Sequence, residues 1–260
     1  MIQTANTLPA LPPENATAVE LLKWGMLEFG ERLGICTSFQ MGGMVLLDMA
    51  VRLGVGKVPV FTVDTQRLPE ETHELIARTR DYYGVEIEVV YPDAAEVSDM
   101  AARHGEDLFR DAVAKRKLCR EVRKVRPLQR KLATLDAWVV GLRREQGDSR
   151  ESIQKVEWDL DNGGIYKLSP LSNWSDDDIL DYVGRNGVPV HPLYEQGYTS
   201  IECAPCTRAT FDGEHFRAGR WWWEQDADKE CGIHFSPGGE VRREVDVLLQ
   251  YVLQTQAAGA

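Results

Sequence analysis

Short apolar runs alternate with amphipathic stretches through the first two thirds of the chain, and this rhythm limits the fold more than any other feature. "LGICTSF", "VPVFTVDT", "VEIEVVYP", "LDAWVVGLR" and "IYKLSPL" are brief and rich in β-branched and aromatic residues, so they read as strands. "ATAVELLKWGMLEFG", "QMGGMVLLDMAVRLG" and "LPEETHELIARTRDYYG" have apolar residues at helical spacing and stop at glycine, the last with acids in its first turn. Strand and helix in succession predict an α/β domain whose parallel sheet carries helices on both faces. Ligands of such sheets bind at the carboxyl ends of the strands, which places the turns after Phe39, Asp64 and Leu142 around one crevice.

Outside that rhythm the chain changes character. Residues 1–14 are proline-rich and expected to be loosely held, and residues 15–200 form the α/β domain. Within it "SNWSDDDILDYVGRNG" reads as a capped helix. Residues 201–239 are a loop-rich, cysteine-bearing tail, and residues 240–260 place Val241, Val245, Leu248, Leu249 and Val252 on one helical stripe, as a docking helix would. No apolar run approaches the length of a membrane span, and the first residues lack the pattern of a secretory signal. The expected address is cytoplasmic, where five cysteines serve as buried fillers, metal ligands or reactive thiols rather than structural disulfides.

"KRKLCREVRKVRPLQRK", residues 115–131, holds nine bases and one acid in a chain of formal charge −11, which leaves −19 for the remainder. So local a cluster suits a small anionic ligand better than a nucleic-acid track, and a membrane partner is likewise not expected. Cys119 sits inside it, readable either as a helix-face filler or as a metal ligand. "IECAPC" supplies Cys203 and Cys206 in a C-x-x-C pair, able to converge on one metal centre or to form a redox couple. Cys231 lies in "DKECGIH" between Lys229 and His234, cations that lower a thiol pKa; the plainer reading is a structural thiol beside a structural histidine. "RAGRWWWE" sets Arg217 and Arg220 against three tryptophans, a cluster that packs a loop or binds bases and phosphates. Lys124, Arg143 and Arg144 extend the positive set.

Taken together, "TSFQ…GGMVLLDMA", "FTVDTQRLPEETHELI", "C…VRKVRPLQRKL", "AWVVGLRREQ…SR", "GYTSIECAPCTRA", "RAGRWWWE" and "KECGIH" resemble the assimilatory sulfonucleotide reductases from about residue 20 to 235. The resemblance implies an adenine-nucleotide hydrolase-like fold related to the PP-loop enzymes. It implies thioredoxin-dependent reduction of adenosine 5′-phosphosulfate to sulfite and AMP, with the 3′-phosphorylated nucleotide as the alternative substrate. By the same resemblance Cys231 is the nucleophile, and we assign Lys124 and His234 to it as catalytic partners. Ser38, Asp64 and Thr65 would hold the adenosine end, and Arg143, Arg144, Arg217 and Arg220 the anionic end. Family members that use adenosine 5′-phosphosulfate carry a 4Fe-4S cluster on a C-C pair and a C-x-x-C pair. Here Cys119, Cys203 and Cys206 match, while Arg120 stands where the fourth cysteine is expected, and Gly42 and Gly43 stand where an acidic pair is expected. More remote readings are a PP-loop tRNA thiolase, whose S-G-G-x-D-S loop is not matched by "TSFQMGGM", and a zinc-knuckle nucleic-acid-binding protein. Self-association is left open.

Overall fold

The computed structural model describes residues 11–147 and 150–224. Six strands form one sheet in the order β3-β2-β1-β4-β6-β5. They are β1 (Leu33–Cys36), β2 (Val60–Val63), β3 (Ile87–Val90), β4 (Ala137–Val140), β5 (Val156–Asp159) and β6 (Ile165–Leu168). Five strands run parallel, with β1 central between β2 and β4. Strand β5 pairs antiparallel with β6 at the edge. The sequence reading contained only the five parallel strands. The sixth is a hairpin partner across "LDNGG", and such a pair needs no crossover helix to announce it.

Side chains alternate across the pleat, so each central strand feeds two cores. Ala137 and Val139 of β4 join Leu33 and Ile35 of β1 on one face, covered by α1 (Ala18–Phe29), α2 (Met41–Leu53), α3 (Glu70–Tyr83) and α7 (Asp176–Asn186). Trp138 and Val140 point to the opposite face, where Leu128 and Leu132 of α6 (Arg126–Leu132) pack with Phe61. Helices on both faces are therefore present, as the alternation predicted. Thr17 begins α1 with a capping box to Glu20, and Ser175 begins α7 in the same way with Asp178.

Three helices escaped the sequence reading, α4 (Ala94–His104), α5 (Val113–Arg120) and α6. The basic run is helical almost throughout: α5 continues through a single π-helical turn, Glu121–Val125, into α6. Its charge hid the helix, because its apolar residues are few and divided between two cores. Leu128 and Leu132 face the sheet, while Leu118, Cys119 and Val122 face a third, smaller cluster with Met100, Leu108, Phe109, Cys206 and Trp221. That satellite cluster joins the first half of the basic run to the cysteine-bearing tail.

Gly42 and Gly43 open α2, and both are required by close approach. A Cβ on Gly42 would lie 3.0 Å from the Gly141 carbonyl oxygen at the end of β4, and one on Gly43 would lie 2.4 Å from Thr37 Oγ1. The expected acidic pair has no room in this packing. The docking helix read over residues 240–260 lies outside the described residues.

Candidate functional site

At the carboxyl ends of β1 and β2 the backbone takes two conformations unusual for residues with side chains. Phe39 has φ of 58° and Gln66 has φ of 62°. Local hydrogen bonds hold both: the Phe39 amide donates to Thr37 Oγ1 at 3.0 Å, and the Gln66 amide donates to Asp64 Oδ1 at 2.7 Å. Asp64 is further fixed by His73 Nε2 at 2.8 Å. Ser38, between Thr37 and Phe39 in the chain, is exposed, with Gln40 Nε2 3.2 Å from its hydroxyl. Gln40 precedes α2 without capping its amides, and the Met41 amide at the start of that helix donates to Tyr194 Oη at 3.2 Å.

The tail is stitched onto this crevice. Thr65 Oγ1 lies 3.1 Å from Cys203 Sγ, the Ala204 amide donates to the Arg67 carbonyl at 2.8 Å, and the Ile201 amide donates to Gln40 Oε1 at 3.2 Å. The Cys206 amide donates to the Cys203 carbonyl at 2.9 Å, closing a turn that brings both thiols to one side. They meet Cys119 of α5 in a single pocket lined also by Thr65, Arg67, Arg120 and Arg123. Lys124 and Glu202 complete its polar wall. Among the described residues, no three or more Cys, His, Asp or Glu gather closely enough to grip a single metal ion.

Burial dominates the thiol chemistry. It pushes Cys119 up, against the opposing pull of Arg123, Arg67 and Arg120, and pushes Cys206 up to about 12, with Cys203 and Cys119 adding in the same direction. Cys36, at the end of β1, is pushed up to about 12 by burial alone. A thiol whose folded value exceeds its unfolded value of 9.0 favours folding fully below pH 9, and that contribution is lost as pH rises from 9 towards 12. Unfolding free energy should therefore decline over that window, by up to about 1.4 kcal/mol per pH unit for this one group. Urea titrations from pH 8 to pH 11 should show a shallower decline in Cys36→Ala than in the native chain.

Three guanidinium groups surround the Trp221 indole, which is fully buried and has φ of 41°. Arg116 lies 4.0 Å, Arg220 4.7 Å and Arg120 5.4 Å from the ring centroid. Arg116 pairs with Glu224 at 2.6 Å in a buried bridge, and Arg123 donates to the Thr65 carbonyl at 3.1 Å. Lys124, on the π-helical turn, and Arg220 both pair with Glu202. A π-helical turn displaces the side chains that follow it, here at the place where Arg123 and Lys124 must face the tail.

The residues singled out from sequence thus divide into three groups. Cys119, Cys203, Cys206, Thr65 and Lys124 line the same pocket, and Arg220 joins Lys124 through Glu202. Arg143 and Arg144 follow β4 but are committed to their own surroundings. Arg143 donates to the Trp174 carbonyl at 3.2 Å and pairs with Asp176, and Arg144 donates to the Ile153 carbonyl at 2.7 Å and binds Asn173. Arg217 is buried nearby in the tail. Cys231 and His234 lie outside the described residues. Arg67, Arg116, Arg123, Glu202 and Trp221 were not recognised from sequence as pocket residues, although Arg116 and Arg123 stand three residues before and four after Cys119, a spacing that puts them on its face of a helix.

A mostly parallel sheet with a cysteine-bearing tail packed at its carboxyl edge is an α/β fold of the adenine-nucleotide hydrolase-like, PP-loop-related class. The chain belongs to the phosphoadenosine phosphosulfate reductase domain family, which it matches over residues 32–209. It is 43% identical over 232 residues to adenosine 5′-phosphosulfate reductase of Allochromatium vinosum, covering 89% of this chain and 90% of that one. It is 42% identical over 233 residues to the Burkholderia cepacia protein of the same name, covering 88% and 92%. The phosphoadenylyl-sulfate reductase of Candida auris, solved as a phosphate complex, superposes with a TM-score of 0.63 at 27% identity over 74% of this chain and 90% of that one. The Candida glabrata FMN adenylyltransferase, 13% identical with a TM-score of 0.53 over 91% of this chain and 85% of that one, shares the fold alone.

Proposed function

We infer that the protein reduces a sulfonucleotide, adenosine 5′-phosphosulfate in the first instance, to sulfite and AMP in sulfate assimilation. Its supports are family membership, relatives of that name across nearly the whole chain, and above all the meeting of three cysteines with Lys124 and Arg220 beside Thr65. The substrate carries negative charge on both phosphate and sulfate, and the attacking thiolate is negative too. Cations at the crevice offset that repulsion and stabilise the departing nucleotide.

In this scheme the Cys231 thiolate attacks the sulfate sulfur. A sulfur–sulfur bond forms as the bond from sulfur to the phosphate oxygen breaks, AMP leaves with that electron pair, and the enzyme holds an S-sulfocysteine. A dithiol protein such as thioredoxin then supplies two electrons, releasing sulfite and ending as a disulfide. Lys124 and Arg220 hold the anionic oxygens, His234 attends the thiol, and Asp64 and the exposed Ser38 face the nucleoside.

The pocket's donor set fits an iron–sulfur cluster held by three thiolates. Cys119, Cys203 and Cys206 face one space beside Trp221, the first and last buried and Cys203 half-buried, yet among the described residues they are not gathered for a single ion. Arg120 lines the same space and cannot ligate iron; its Nε and Nη2 are buried without a hydrogen-bond partner among the described residues, so they remain able to donate towards a sulfur-rich anion. Such a group would supply a rigid junction between α5 and the tail and a local negative charge beside Lys124.

The decisive measurement is anaerobic purification followed by iron, acid-labile sulfide and sulfite-release assays with both nucleotides and thioredoxin. Sulfite from adenosine 5′-phosphosulfate is the expected result. Sulfite only from the 3′-phosphorylated nucleotide would move the substrate assignment, and none from either would defeat the reading.

A further inference from the structure

Among the described residues, Glu202 is the sole carboxylate lining the three-cysteine pocket, against five cations: Arg67, Arg116, Arg120, Arg123 and Lys124. It is only 8% exposed, and each of its oxygens is used: Oε1 by Lys124 Nζ and Oε2 by Arg220 Nη2. We propose that Glu202 is an internal counter-ion that holds Lys124 and Arg220 while the crevice is empty and must yield them when an anionic substrate arrives.

This rests on the reductase reading above and adds a residue to it. A carboxylate offers the two cations the same kind of acceptor oxygen that a phosphate or sulfate would. Three charged groups together carry +1 rather than +2, so the pull on an incoming anion is weakened. Little solvent reaches the trio to screen it. The backbone on either side of Glu202 is anchored through Ile201 to Gln40 and through Ala204 to Arg67, so only its side chain is able to give way. Arg220 is held independently, by Ser200 Oγ at 3.3 Å and by the Trp221 ring, and keeps its place when the carboxylate withdraws. Lys124 has a four-carbon stem and is able to turn from one acceptor to another.

A counter-ion and a mere positioning residue predict opposite signs. If Glu202 only oriented the two cations, neutralising it would weaken anion binding; as a competitor for them, its neutralisation strengthens binding. Titration calorimetry of the full chain with AMP as probe, at two ionic strengths, separates the two. Glu202→Gln should bind AMP about tenfold more tightly than the native chain, with a steeper loss of affinity in salt, because both cations then face the ligand. Glu202→Asp retains the charge, and with it the fold, but is one methylene too short to reach both cations, and should lie between the two. In steady-state assays the KM for the sulfonucleotide should fall more than kcat changes.

Unchanged or weaker AMP binding in both variants overturns the counter-ion assignment, and sulfite release by the native chain in the same preparation would leave the reductase reading standing. Absence of AMP binding in all three proteins, together with no sulfite release, overturns both.

Discussion

Cys231→Ser should release no measurable sulfite, a loss of at least about a thousandfold in kcat, or roughly 4 kcal/mol of barrier. A serine hydroxyl is scarcely ionised at neutral pH, and the oxygen–sulfur bond it would form is not opened by a dithiol. The binding step should survive, because the cations around Lys124 and Arg220 and the crevice beyond β1 and β2 are untouched. Intact-mass analysis after mixing with adenosine 5′-phosphosulfate should show the added sulfonate on the native chain and nothing on the variant. A variant that still carries the adduct, or still makes sulfite, would remove Cys231 from the chemistry and redirect attention to the three-cysteine pocket.

The second large effect concerns stability. Arg116 and Glu224 form a bridge at 2.6 Å with side chains only 2% and 5% exposed, and the guanidinium lies on Trp221 at 4.0 Å. Arg116→Ala leaves the carboxylate buried without its partner and uncovers the indole, so it should cost about 3–5 kcal/mol by urea denaturation. Removing both charges and refilling the space, as in Arg116→Met with Glu224→Leu, should cost much less than the single change, since what destabilises is the orphaned charge rather than the missing bridge. A double variant as unstable as Arg116→Ala would show that the Trp221 contact, not the ion pair, holds the tail to α5.

These two sites differ in how far they were legible. Cys231 was singled out because "KECGIH" is a contiguous motif of the family the chain resembles, and local patterns survive in sequence; its lysine and histidine neighbours alone read first as a structural setting. The parallel sheet was legible for the same reason: β1 to β4 and β6 are short apolar runs whose periodicity needs no partner to be seen. Strand β5 was not, because its Trp158 is exposed and the strand exists by pairing with β6. Helix α5 was masked by charge, its few apolar residues answering to the satellite cluster rather than to the sheet.

Within the pocket, the cysteines were legible and their setting was not. Arg143 and Arg144 look, in sequence, as available to an anion as Lys124 and Arg220. In the fold Asp176, Asn173 and two backbone carbonyls partner the first pair, and Glu202 partners the second. Availability is a property of what surrounds a charge, and those surroundings lie from nine to 33 residues away along the chain. Glu202 shows the converse: adjacent to Cys203 in sequence, it gained meaning only when Lys124, 78 residues earlier, was brought against it.

Sequence by itself determined the α/β class with its five parallel strands and the family, and it named the thiols and cations on which the proposed chemistry draws. Tertiary structure alone decided which cations meet which acids, and that Arg67, Arg116, Arg123, Glu202 and Trp221 share the pocket of the three cysteines. Propensity and periodicity act between near neighbours and are written in order along the chain, whereas burial and ion pairing act through space, between segments whose separation in sequence carries no record of their contact.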